Sequence, residues 1–153
     1  MTAQRRFPRR IDALHELFAF TAETLAGEGS DGALLRTVDF VLEELFTNIV
    51  KYGRGATPVL IEIATLQGGV EVMLTDFDAE PFDVTHAPPV DITLPAESRQ
   101  PGGLGLHLIR KLVDSIEYRH SPQDRCSRIT FRKMRAPAPT GERPQTGETN
   151  AGD

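Results

Sequence analysis

Within residues 11–26, Leu14, Leu17, Phe18, Thr21 and Leu25 recur at three- and four-residue spacings, and Gly27 and Gly29 follow; this pattern predicts a helix stopped by glycine. Over residues 31–52, Leu34, Leu35, Val38, Val41, Leu42, Leu45, Phe46 and Ile49 repeat the period, with Ser30 or Asp31 as N-cap and Gly53 beyond the end. The period then changes to two. Residues 58–66 place Val59, Ile61 and Ile63 on one face, residues 70–76 do the same with Val70, Val72 and Leu74, and Gly68-Gly69 between them predicts a hairpin. A third helix is expected to open at Gly103 to Gly105 and run through Leu106, Leu108, Ile109, Leu112 and Val113. Strands over 115–120 and 127–134 complete the order helix, helix, strand, strand, loop, helix, strand, strand. That order predicts an α+β fold, a two-layer sandwich with helices on one face of a largely antiparallel mixed sheet.

Two stretches lie outside this pattern. Residues 77–101 are polar and contain Pro81, Pro88, Pro89, Pro95 and Pro101, a length expected of a functional loop or lid, irregular and ordered by ligand. Residues 135–153 hold no Val, Ile, Leu or aromatic side chain, so they have nothing to bury. The expected organisation is one domain over residues 1–134 followed by a disordered C-terminal tail over 135–153.

Composition narrows the classes. The 153 residues are 39% hydrophobic and 25% charged, ordinary for a globular chain, and 17 basic against 22 acidic residues give a net charge of −5. That balance argues against a protein built to neutralise nucleic-acid phosphates. Cys126 is the sole cysteine, which excludes an internal disulfide and a cysteine zinc cluster. The basic start MTAQRRFPRR runs into Asp12, His15, Glu16 and Glu23 rather than an apolar signal core, and no run approaches the roughly 20 apolar residues of a membrane span. The expectation is a cytoplasmic protein that binds neither nucleic acid nor membrane.

Three segments can carry chemistry. Glu44 and Asn48 lie about 40° apart on the second helix, one turn apart on one face, so a proton-accepting carboxylate and a Mg²⁺-coordinating amide oxygen can meet one ligand. The same spacing also fits two polar residues at the edge of an amphipathic helix. Asp76 ends an apolar strand, where a carboxylate can accept a hydrogen bond from an exocyclic amine such as that of adenine; ordinary turn chemistry places Asp there as well. Pro101-Gly-Gly-Leu-Gly-Leu runs glycines into a helix, a backbone cradle for phosphate or a simple hinge. The four histidines are scattered without metal-ligand spacing, Asp83 and Asp91 lack the spacing of a calcium loop, and no nucleophile elbow is present.

In combination and order, these segments resemble the ATP-binding domain of the GHKL superfamily, and within it the anti-sigma-factor serine/threonine kinases of RsbW type. The resemblance rests on E-x-x-x-N at Glu44 to Asn48, on Asp76-Phe77-Asp78 in place of D-x-G, on Gly103-Leu-Gly-Leu-His-Leu108, and on the flanking TNIVKYG, PFD and RITFRK. It implies Glu44 as general base and Asn48 as Mg²⁺ ligand and part of the nucleotide site. It implies Asp76 as adenine contact, Gly102, Gly103, Leu104, Gly105 and Leu106 as the phosphate loop, Thr130 as a further adenine-side residue, and Arg99 as a clamp on the terminal phosphate. The implied activity is ATP:protein phosphotransfer with Mg²⁺ to a STAS-domain anti-anti-sigma partner, in a partner switch that also engages a sigma factor or other regulatory target and admits a homodimer. Asp78 departs from the family's glycine. Its added Cβ and charge leave a second expectation, a degenerate, non-catalytic binding module that sequesters a regulatory partner.

Overall fold

The computed structural model describes residues 1–27, 32–53, 55–81, 83 and 103–136. It opens with a strand, β1 (Thr2–Phe7), and after a 3-10 turn at Ile11–Ala13 comes α1 (Leu14–Leu25). The chain continues through α2 (Gly32–Tyr52), β2 (Val59–Leu66), β3 (Gly69–Asp76), α3 (Gly103–Leu112), β4 (Ser115–Ser121) and β5 (Cys126–Met134). The strands form one sheet in the order β1-β2-β3-β5-β4 with every neighbouring pair antiparallel. The α+β expectation holds. The strand β1 was not anticipated, because TAQRRF carries only Ala3 and Phe7 as apolar residues and Phe7 alone is buried.

The alternation of the strands builds a single core. Phe7, Val59, Ile61, Ile63, Val70, Val72, Leu74, Ile129 and Phe131 are buried on the helix-covered face, against Leu17, Phe20 and Leu25 of α1 and Val38, Val41, Leu42, Leu45, Phe46 and Ile49 of α2. On α1 the buried aromatic is Phe20 rather than Phe18, which is half-buried. Each large side chain removed from water contributes about 1.5–3 kcal/mol against the entropy of ordering the chain. From α3, Leu106 and Ile109 enter this core, while Leu104, Leu108 and Leu112 remain on its outer side.

Two polar links position the helices. The Thr21 hydroxyl lies against the Phe18 carbonyl and the Asp39 carboxylate, joining α1 to α2. The Gly53 amide donates to the Ile49 carbonyl and closes the last turn of α2. Among the described residues no helix is long and apolar enough to cross a membrane. The expected N-cap of α2, the segment 84–102 and the tail from residue 137 lie outside the described residues.

Candidate nucleotide site

Helix α2 supplies the first wall. Asn48 is buried and Glu44, one turn earlier, is half-buried. Glu44 reaches the first turn of α3: a Cβ built on Gly105 would stand 2.2 Å from its Oε2 and 2.8 Å from its Cδ. Ordinary carbon–oxygen contacts are about 3.3 Å, so only a glycine at 105 lets the carboxylate lie against this backbone. The exposed amides of a helix's first turn also favour a negative group there. Glu44 and Gly105, 61 residues apart in sequence, thus meet with a carboxylate against the opening turn of a helix.

The second wall is the end of β3. Asp76 shares the helix-covered face with Val70, Val72 and Leu74, and pairs in register with Ser127. Its carboxylate accepts a hydrogen bond from Nη2 of Arg9, and both side chains are about nine-tenths buried. Arg9 also donates from Nη1 to the Ile49 carbonyl and from Nε to the Thr57 carbonyl, both at 3.3 Å. One guanidinium therefore joins the C-terminal turn of α2, the chain entering β2 and the end of β3. Gly55 makes room for it: a Cβ there would lie 2.3 Å from Nη2 of Arg9 and 3.1 Å from Oδ1 of Asp76. The Asp76 carboxyl is raised above the usual carboxylate value: burial pushes it up, and the charge and hydrogen bond of Arg9 offset only part of that.

Asp78 stands where the motif glycine is expected, and its φ is 51°. This is the left-handed region that glycine enters freely and that Asp tolerates better than most residues. The substitution therefore preserves the backbone path a glycine would take. The turn is held from outside by the Ala79 amide, which donates to the Arg125 carbonyl at 2.9 Å, and by Arg6, whose guanidinium lies over the Phe77 ring.

The expected site residues divide into those assembled and those not. Glu44, Asn48, Asp76, Gly105 and the buried Leu106 line the helix side of the sheet; Gly103 begins α3, and Leu104 is 45% exposed on it. Thr130 is not among them. In β5 the core-facing residues are Ser127, Ile129 and Phe131, so Thr130 points to the opposite face of the sheet, between Met73 and Glu117. The β5 residue beside Asp76 is Ser127, whose hydroxyl hydrogen-bonds with Tyr118 and His120 at 3.2 and 2.8 Å. Arg99 and Gly102 lie outside the described residues. Arg9 was missed because four arginines in MTAQRRFPRR read as a solvated basic start.

Among the described residues no group of three His, Cys, Asp or Glu side chains could hold a metal. A single amide oxygen at Asn48 suits Mg²⁺, which takes one or two protein ligands and completes its shell with phosphate oxygens and water.

Comparison with known proteins identifies the family and the fold. The family model described as histidine kinase-like ATPase domain matches residues 7–133. Among solved structures, the RsbU and RsbW domains of Rv1364c from Mycobacterium tuberculosis superpose with a TM-score of 0.63 at 17% identity, covering 90% of this chain and 34% of that one. The chain thus spans about a third of that protein's resolved length. The Acinetobacter baumannii histidine kinase AdeS is a further similar structure, with a TM-score of 0.46 and 19% identity, covering 86% of this chain and 67% of that one. A comparison with curated protein sequences gives no match.

Proposed function

Since the chain belongs to the histidine kinase-like ATPase domain family, we propose that it is an anti-sigma-type protein serine/threonine kinase, transferring phosphate from Mg-ATP to a STAS-domain partner. The observation that carries the reading is the Glu44 carboxylate seated against Gly105, which puts a proton acceptor beside backbone amides suited to phosphate. The adenine amine is assigned to Asp76 and the phosphates to the Gly103-Leu104-Gly105-Leu106 turn, with Gly102 and Arg99 as further phosphate contacts. Mg²⁺ held by Asn48 would neutralise charge on the phosphates.

Glu44 accepts the proton of the partner's Ser or Thr hydroxyl while that oxygen bonds to the γ-phosphorus and the bond to ADP breaks. Positioning of this kind is worth typically 10²–10⁴-fold in rate. The RsbW domain in the similar solved structure supports the choice of branch, and the sigma factor or other regulatory target belongs to the same proposal. The alternative of a degenerate binding module rested on Asp78; its left-handed φ supports an intact turn rather than a broken one.

The test is incubation of the chain with labelled ATP and a STAS-domain protein encoded near its gene. Label on a Ser or Thr of the partner supports the proposal, with Glu44→Ala keeping nucleotide binding while losing transfer. Calorimetry that finds no Mg-ATP binding, or a Glu44→Ala chain that transfers at the normal rate, sinks it.

A further inference from the structure

Arg9 carries an inference of its own. A surface arginine at the start of a chain is normally solvated, yet this one is nine-tenths buried and places Nε, Nη1 and Nη2 on three acceptors from three different elements. Hydrogen bonds from a charged donor are stronger than neutral ones, and three of them make the guanidinium a fixed part of the wall and not a gate that swings aside. Its fixed position has a chemical consequence for Asp76. An ionised carboxylate only accepts hydrogen bonds, whereas a neutral carboxylic acid also donates one. The 6-amino group of adenine donates; the 6-oxo group of hypoxanthine or guanine accepts. With the carboxylate facing the 6-position rather than N1, the state of Asp76 selects between the two classes of purine, and the guanidinium on Oδ1 favours the acceptor state while leaving the second oxygen for the base.

We infer that Arg9 is the positioning residue that sets base selectivity: by pairing with Asp76 it holds the carboxylate as an acceptor and makes the site specific for 6-aminopurine nucleotides over 6-oxopurine ones. The inference rests on the assignment of Asp76 to the purine. It is consistent with the opposing effects on that carboxyl, since burial alone favours the neutral form and Arg9 is the group that opposes it. Gly55 serves the same end, because its missing Cβ is what lets Nη2 of Arg9 and Oδ1 of Asp76 approach. The role differs from that of a structural clamp, which would support every nucleotide equally.

The experiment is calorimetric titration of the full chain near neutral pH with Mg-ATP and Mg-ITP. The unaltered chain is expected to prefer ATP roughly 30-fold, the scale of one well-made base contact. Arg9→Met and Arg9→Gln should reduce the preference to about threefold or less, and Arg9→Lys, which keeps a cation beside Asp76, should retain most of it. Should Arg9→Met fail to fold, Arg9→Gln gives the same reading, since its amide keeps a neutral donor in place. Equal weakening of ATP and ITP in the Met and Gln variants overturns the inference and leaves Arg9 as scaffold. Asp76→Asn separates the two levels: it should move the preference towards ITP, and an unchanged ratio there removes the purine assignment itself, as does absence of ATP binding by the unaltered chain.

Discussion

Replacing Gly105 by Ala tests whether catalysis depends on where the Glu44 head lies. The new Cβ would stand 2.2 Å from Oε2, 2.8 Å from Cδ and 3.4 Å from Cγ of Glu44. An ordinary carbon–oxygen contact is about 3.3 Å, so the carboxylate must retreat by about 1 Å. The retreat is cheap in stability, because the displaced atoms are the far end of a flexible side chain at a half-buried position. Ala within a helix also gains roughly 0.5–1 kcal/mol over Gly. Catalysis has no such tolerance. A reacting group misplaced by about 1 Å can lose on the order of 10²-fold in rate. Gly105→Ala should thus melt within a few degrees of the unaltered chain and still bind ATP, while its transfer rate to the proposed STAS-domain substrate falls about 10²-fold. The assay is single-turnover transfer from labelled ATP, beside thermal melts followed by circular dichroism. A variant that transfers at the normal rate refutes the assigned role of Glu44; one that unfolds refutes the view that its head can move freely.

Further expectations follow from the same contacts. Asn48→Ala should abolish the Mg²⁺-dependence of nucleotide binding, measured by calorimetry with and without the metal; unchanged dependence removes Asn48 from the metal shell. Gly55→Ala puts a methyl group 2.3 Å from a buried guanidinium nitrogen and should cost about 1–3 kcal/mol in urea unfolding, as overpacking does; an unmoved midpoint contradicts the tight seating of Arg9. Asp78→Val forces a β-branched residue into φ 51° and should lose about 1–2 kcal/mol while Asp78→Gly does not; equal melting temperatures argue against the left-handed turn. Burial raises the Asp39 carboxyl above 3.8, the Thr21 hydroxyl lowering it and Glu43 raising it further. The native state then binds the proton more tightly than the unfolded one, so this group's contribution is full below pH 3.8 and declines as pH rises through the raised value. Asp39→Asn should remove that decline, read as a flatter urea-stability profile from acid to neutral pH; an unchanged profile counts against it.

The helices and the β2–β3 hairpin were legible in the chain because their signal is local: a period of 3.6 residues over α2, a period of two over β2 and β3, and glycines at the ends. The family was legible because its motifs are short and ordered, and Glu44 and Asn48 need only one helix to share a face. What the tertiary structure alone decided concerns residues whose role depends on a distant partner. Strand β1 has a mostly polar sequence and exists through its ladder to β2, from Thr2 opposite Ala64 to Phe7 opposite Val59. Thr130 and Ser127 are three residues apart, and pleat parity, set by the pairing of β5 with β3, turns Ser127 to the site and Thr130 away. Arg9 looks like any exposed cation until β3 brings Asp76, 67 residues later, to its guanidinium. A buried charge is tolerated only where a partner compensates its desolvation, and no pattern within the N-terminal segment records that partner.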